Sequence, residues 1–227
     1  MKRHSIALAL AAALAIAGGA QATARPEGIN KVNGGIIASA GQTYGDLETV
    51  NGGIQIEAGV HAGNAATVNG SIKVAERAQT GDLGTVNGGI RLDREVQVDG
   101  GMETVNGDVF VDRGGRISAG VSTVNGAIGL VDADLGKGIE TVNGDITVGV
   151  GSHVHGGIKI EKPTSNWLPI SMGKRRPPRI IIGPNAVVDG PLVFERDVRL
   201  YVHKTAKIGS VSGATAVPYD GERAPEE

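Results

Sequence analysis

The tripeptide Val-Asn-Gly occurs seven times, with its Asn at positions 33, 51, 69, 87, 106, 125 and 143, so that successive copies lie 18, 18, 18, 19, 19 and 18 residues apart. An Asn-Gly pair between apolar runs is ordinarily a hairpin signal. Independent hairpins, however, need no common interval. A nearly fixed period of this length marks a solenoid, in which each repeat is one turn stacked on the next.

A second regularity accompanies the first. After each Asn-Gly stand two apolar residues in alternation: Ile54/Ile56, Ile72/Val74, Ile90/Leu92, Val109/Val111, Ile128/Leu130 and Ile146/Val148. Period-two alternation of β-branched residues reads as a strand with one buried face. Another apolar position precedes each motif: Ile29, Leu47, Ala65, Leu83, Met102, Val121 and Ile139. A repeat of this length is too short for strand–helix–strand, and none has a helical period. The fold class that follows is all-β: a single-stranded parallel β-helix with about 18 residues per coil. Seven turns at the spacing of parallel strands make a rod roughly 34 Å long. A narrow lumen also accounts for a chain with 37 Gly but only 2 Phe, 3 Tyr and 1 Trp. Small side chains suffice where each stacks on its copy in the next coil.

Two readings of Asn-Gly are open. In one it is a corner, with Gly at positive φ, Asn tolerating the left-handed region, and the Asn amides hydrogen-bonding along the axis. In the other the strand runs straight through, so that Val50, Gly52, Ile54 and Ile56 face inward while Thr49 and Asn51 form an outward Thr-x-Asn ladder. The turn preference of Asn-Gly favours the corner; the alternation of Val50 with Ile54 supports the straight strand. In either case Asn33, Asn51, Asn69, Asn87, Asn106, Asn125 and Asn143 form a structural ladder.

The ends differ from the repeats. Lys2 and Arg3 precede an apolar run from Ile6 to Ala17 and then Ala22-Thr23-Ala24, the pattern of a cleaved secretory signal over residues 1–24. No later stretch is long and apolar enough for a transmembrane helix. Cleavage leaves 203 residues with 20 basic against 24 acidic side chains, a net charge of −4, which gives no general attraction for nucleic acid. No cysteine is present, so neither disulfides nor a lipidated cysteine hold an exported chain. Repeats fill 25–161, a Pro-rich basic excursion loop spans 162–179, terminal coils occupy 180–213, and the charged, Pro-containing segment 214–227 is expected to be disordered.

The units "TVNGDI" and "TVNGGI" resemble the Gly-rich β-solenoid domains grouped as bacterial adhesins, over residues 29–160. The stretch "IIIGPNAVVDGPLVFERDVRLYVHKTAKIG" is similar to coils of bactofilins, the polymer-forming cytoskeletal β-helices. These resemblances imply a structural or adhesive role and self-association, and they supply no catalytic residue. Bactofilins are typically cytoplasmic, which the leader of this chain is not suited to.

Three sets of side chains are candidates for chemistry. Asp132 with Asp134, and Asp108 with Asp145 at equivalent repeat positions, could supply paired carboxylates for a carbohydrate-active β-helix enzyme, but no nucleophile–base constellation accompanies them. His153 and His155 could share a strand face and ligate a metal; with no carboxylate or thiolate beside them in the sequence, no metal or cofactor is assigned. Lys162, Trp167, Lys174, Arg175, Arg176 and Arg179 make an amphipathic basic loop suited to an envelope partner: polysaccharide, lipopolysaccharide or protein. The resulting expectation is a non-catalytic structural or adhesive solenoid, periplasmic, secreted or at the cell surface. Ice- or crystal-surface binding is the alternative if the Thr-x-Asn ladder faces out. N-terminal sequencing of protein from a bacterial envelope fraction is expected to begin at Arg25; an intact Met1 would remove the export assignment.

Overall fold

The computed structural model describes residues 26–163 and 176–225. The leader, and Trp167, Lys174 and Arg175 of the excursion, lie outside the described residues. The chain is a parallel β-solenoid of about nine turns, with about 19 residues per turn and no helix among the described residues. No helix there is long and apolar enough to cross a membrane.

Each turn contributes a strand to two parallel sheets, and from the third turn to the ninth also one to a third, which the first two turns approach only through isolated bridges at Thr43 and His61. Sheet A, of ten strands, carries the longest segments, such as Leu47–Asn51 and Leu83–Asn87. Sheet B, also of ten, is built from segments such as Ile54–Ile56 and Ile90–Leu92. Sheet C has seven short strands, such as Gln97–Val98 and His153–Val154. Pairing is in register from copy to copy: Leu47 with Ala65, Thr49 with Thr67, Ile54 with Ile72.

The alternating apolar residues line the lumen as anticipated: Ile54, Ile72, Ile90, Ile128 and Ile146 are all at most 1% exposed. At the corner before sheet C lie the small buried residues Val60, Ala78, Val96, Ala133, Ser152 and Ala186, and sheet C itself turns Thr80, Val98, Ile117, Leu135, Val154 and Val188 inward. Towards the C-terminal end the Thr column of sheet A gives way to Ile160 and Phe194, in register with Thr141 through Ile160.

The straight-strand reading is overturned. Thr49, Thr67, Thr85, Thr104, Thr123 and Thr141 are buried, each at most 4% exposed, whereas the Val after each is half-buried. The chain therefore turns at Asn-Gly, and no outward Thr-x-Asn ladder exists. One detail of the corner reading also changes. Of the seven glycines in these motifs only Gly34 has a left-handed backbone, at φ 100°. The left-handed column sits at the next corner, between sheets B and C, where Gly41, Gly59, Arg77, Glu95, Gly114, Asp132, Gly151 and Asn185 have φ from 46° to 74°.

Two further boundaries move. Arg179 opens the strand Arg179–Ile182, so it belongs to sheet B and not to the excursion. The segment from Ala214, expected to be disordered, adds the strand Ala216–Tyr219 to the edge of sheet B, paired with Arg199–His203. Pro218 is tolerated because an edge strand has no outer neighbour to receive an N–H. Tyr219 is buried, with its hydroxyl donating to the Ile182 carbonyl at 3.3 Å and its ring edge-on to His203 at 5.0 Å. Burial pushes the Tyr219 hydroxyl above its ordinary pKa. Beyond it, the hydrogen bond from Lys204 holds the Asp220 carboxyl below the usual range.

Replacing Ile90 by Asp places a carboxylate in the lumen and is expected to cost about 4 kcal/mol or more of unfolding free energy. Arg91→Asp on the outer face loses a cation–π contact with Phe110 and an exposed ion pair with Asp93. Its expected cost is within about 1 kcal/mol. Denaturant unfolding of the two variants followed by far-ultraviolet circular dichroism checks the contrast.

Candidate functional site

The Asn-Gly corner uses every residue of its motif. The inward Thr hydroxyl donates to the corner-Gly carbonyl one coil towards the N-terminus: Thr49 to Gly34, Thr67 to Gly52, Thr85 to Gly70, Thr104 to Gly88 and Thr123 to Gly107, at 2.8–3.3 Å. Thr141 is buried with its hydroxyl unpaired. Each Asn Nδ2 donates to the Oδ1 of the preceding Asn, an unbroken series of six bonds from Asn143 to Asn33 at 2.9–3.1 Å. The Gly is required by proximity. A Cβ at Gly52, Gly70, Gly88, Gly107, Gly126 or Gly144 would lie 1.8–2.3 Å from the carbonyl oxygen of the corner Gly below it.

A second ladder, with no counterpart in the sequence reading, holds the corner from sheet C to sheet A. Oδ1 of Asp46, Asn64 and Asp82 accepts the backbone N–H of Asn64, Asp82 and Gly101 respectively, at 2.7–2.8 Å. Gly63, Gly81 and Gly100 leave room for these side chains, since a Cβ there would lie 2.1–2.3 Å from the accepting oxygen. An Asx residue after Gly at this corner was the available signal, legible only once the coils are aligned.

The excursion leaves and re-enters at the place where earlier coils carry Asn-Gly, between Ile158–Ile160 and Arg179–Ile182. Where it returns, Asp145 accepts from the Arg179 amide at 2.7 Å and pairs with Arg176 at 3.2 Å. Arg196, from the following coil, donates to Asn143 Oδ1 at 2.6 Å and to the Val142 carbonyl at 3.0 Å. These groups line a cleft of about 310 Å³. The Arg179 guanidinium holds the carbonyls of Ala224 and Pro225 and lies over the Tyr201 ring, so it anchors the C-terminal segment. Lys162 is exposed, with its amide donating to Glu195. Nearby, the hydrogen bond to Glu161 raises the Lys159 pKa.

The candidate carboxylates are engaged separately. Asp108 and Asp145 are two coils apart with Ala127 between them, and Asp108 accepts the Ala127 amide at 2.7 Å. Asp132 occupies the left-handed corner. Asp134 instead faces His155 on the outer surface of sheet C, with Oδ2 3.3 Å from Nε2. There the structure joins residues distant in sequence. Asp134 and His153 are register partners on adjacent strands, and Asp189 comes from the coil after the excursion. Asp189 Oδ2 lies 2.7 Å from His153 Nε2 and 3.4 Å from His155 Nδ1, and the two imidazoles are 3.9 Å apart between centroids.

No family model matches this chain, and neither a curated protein nor a solved structure matches it.

Glycine at the Asn-Gly corner and a side chain at the left-handed corner make opposite predictions. Gly88→Ala is expected to destabilise by about 2 kcal/mol or more, because the new methyl meets backbone that cannot move without breaking the stack. Glu95→Gly relieves a left-handed side chain worth roughly 1–2 kcal/mol, against a smaller glycine entropy cost. It is expected to leave stability unchanged or raised by up to about 1 kcal/mol, read from denaturation midpoints.

Proposed function

We propose that this chain is an exported, non-catalytic structural or adhesive rod of the bacterial envelope. The observation that carries the reading is the use made of the repeated polar groups. The Thr hydroxyls from Thr49 to Thr123 and the Asn amides from Asn33 to Asn143, the chemistry that recurs through the repeats, are engaged in coil-to-coil hydrogen bonds. They hold shape and are not aimed at a substrate. The outward positions of sheet A, in contrast, change from coil to coil: Glu48, Ala66, Gly84, Glu103, Ser122, Glu140 and Lys159 stand in one column. A rigid rod with a varied outer face suits contact with an extended polymer or another protein surface. The resemblance of the repeats to adhesin-type solenoids, and of the last coils to bactofilins, points the same way. A carbohydrate-active enzyme is the weaker reading, because Asp108 and Asp145 serve backbone amides.

Sedimentation of the mature chain with isolated bacterial envelope polysaccharide and with lipopolysaccharide tests the proposal. Retention on at least one polymer without release of shortened glycan is the expected result. Glycan cleavage would establish the enzyme reading, and failure to bind either polymer would remove the adhesive one.

A further inference from the structure

We infer that Asp134, His153 and His155 form a binding site for a divalent transition metal of the zinc class, with Asp189 orienting the imidazoles. Each of the three residues can offer one ligand atom such that all three lie within 4.8 Å of one another. Tetrahedral zinc with bonds of about 2.0–2.1 Å sets its ligand atoms about 3.3 Å apart. The separation between Asp134 Oδ2 and His155 Nε2 is already 3.3 Å. Closing the remaining ligand onto an ion requires rotamer adjustment only, because all four side chains are between 35% and 50% exposed.

Asp189 supplies the feature that distinguishes this group from a chance pair of surface histidines. A carboxylate accepts, so the ring nitrogens facing it, His153 Nε2 and His155 Nδ1, carry the protons. The proton that His155 Nε2 would share with Asp134 Oδ2 is displaced when an ion binds there, so the nitrogen ligands are His153 Nδ1 and His155 Nε2. A carboxylate behind a ligating imidazole fixes the tautomer and raises ligand basicity, the usual support of a protein metal site. Two imidazoles and one carboxylate leave one position for water or an external donor, and this donor set suits zinc, copper or nickel better than magnesium or calcium.

The position in the fold gives such an ion a task. Asp134 lies in the sixth coil, the histidines in the seventh, and Asp189 in the eighth, after residues 162–178 have left and rejoined the solenoid. A bound ion would tie the sixth coil to the seventh directly, and to the eighth, beyond the excursion, only through the contacts of the imidazoles with Asp189, on the face opposite the interrupted Asn ladder. This inference stands apart from the adhesive reading and does not depend on it.

Isothermal titration of zinc chloride into the mature chain, produced without a histidine tag, tests the site, with His155→Ala, Asp189→Asn and Asp134→Asn as variants. One zinc per chain is expected, with binding lost in His155→Ala and weakened tenfold or more in Asp189→Asn and Asp134→Asn. Calcium chloride is expected to give no heat. A zinc-dependent rise in melting temperature that disappears in His155→Ala would support the clip between coils. Circular dichroism of each variant confirms that the β fold persists, as surface positions allow. Absence of zinc binding by the wild-type chain, or equal binding by His155→Ala, would overturn the site.

Discussion

Everything in this molecule depends on the spacing of parallel rungs, about 4.8 Å. At that distance each side chain's nearest neighbours along the axis are its own copies, so a residue is acceptable only if it can stack on itself. Asn meets the condition because its amide both donates and accepts, giving the series from Asn143 to Asn33. Ile and Val meet it by dispersion and exclusion of water. Thr meets it by reaching diagonally to the corner carbonyl one coil away, which makes a polar residue tolerable in an apolar lumen. Gly is obligatory where two backbones already fill the available distance.

This constraint explains which features were legible in the sequence. Period, strand alternation and lumen residues such as Ile54, Ile90 and Leu130 follow from one chain segment compared with its neighbour along the sequence, and they appear in the structure where expected. The orientation of Thr49 was ambiguous because Val50 also suits an inward position; the hydrogen bond to Gly34 decides it, and that bond spans a coil. The left-handed corner at Arg77, Glu95 and Asp132 carries no shared residue type, so pattern alone could not find it. Asp134 and Asp189 were assigned to no common site because 55 residues separate them and the excursion intervenes. The strand Ala216–Tyr219 was concealed by Pro218 and the surrounding charges, which an edge position accommodates.

The excursion is placed at the corner that the repeats specify most tightly. A long connection is compatible with a stacked fold where it leaves the lumen columns intact, and Ile160 and Ile180 on either side of it continue the buried series. Its cost falls on the polar columns of the Asn-Gly corner: the Asn series ends at Asn143 and the Thr series at Thr141. Arg196 then occupies the next available place and bonds both the terminal amide and a neighbouring carbonyl. Beyond it the core enlarges, with Phe194 and Tyr219 closing a lumen that smaller residues fill elsewhere.

The contact of Arg196 with Asn143 gives the rod an electrical sense. A guanidinium only donates, so the oxygen of Asn143 must face the C-terminal end, and every amide beneath it is turned the same way. Six amide bonds aligned head to tail polarise one another, as peptide dipoles do in a helix. The series therefore carries partial negative charge at Asn143, where a cation neutralises it, and partial positive charge at Asn33. The column is thus polar in one fixed sense, its positive end at Asn33 in the first coil and its negative end capped by Arg196 within the rod, short of the last coils.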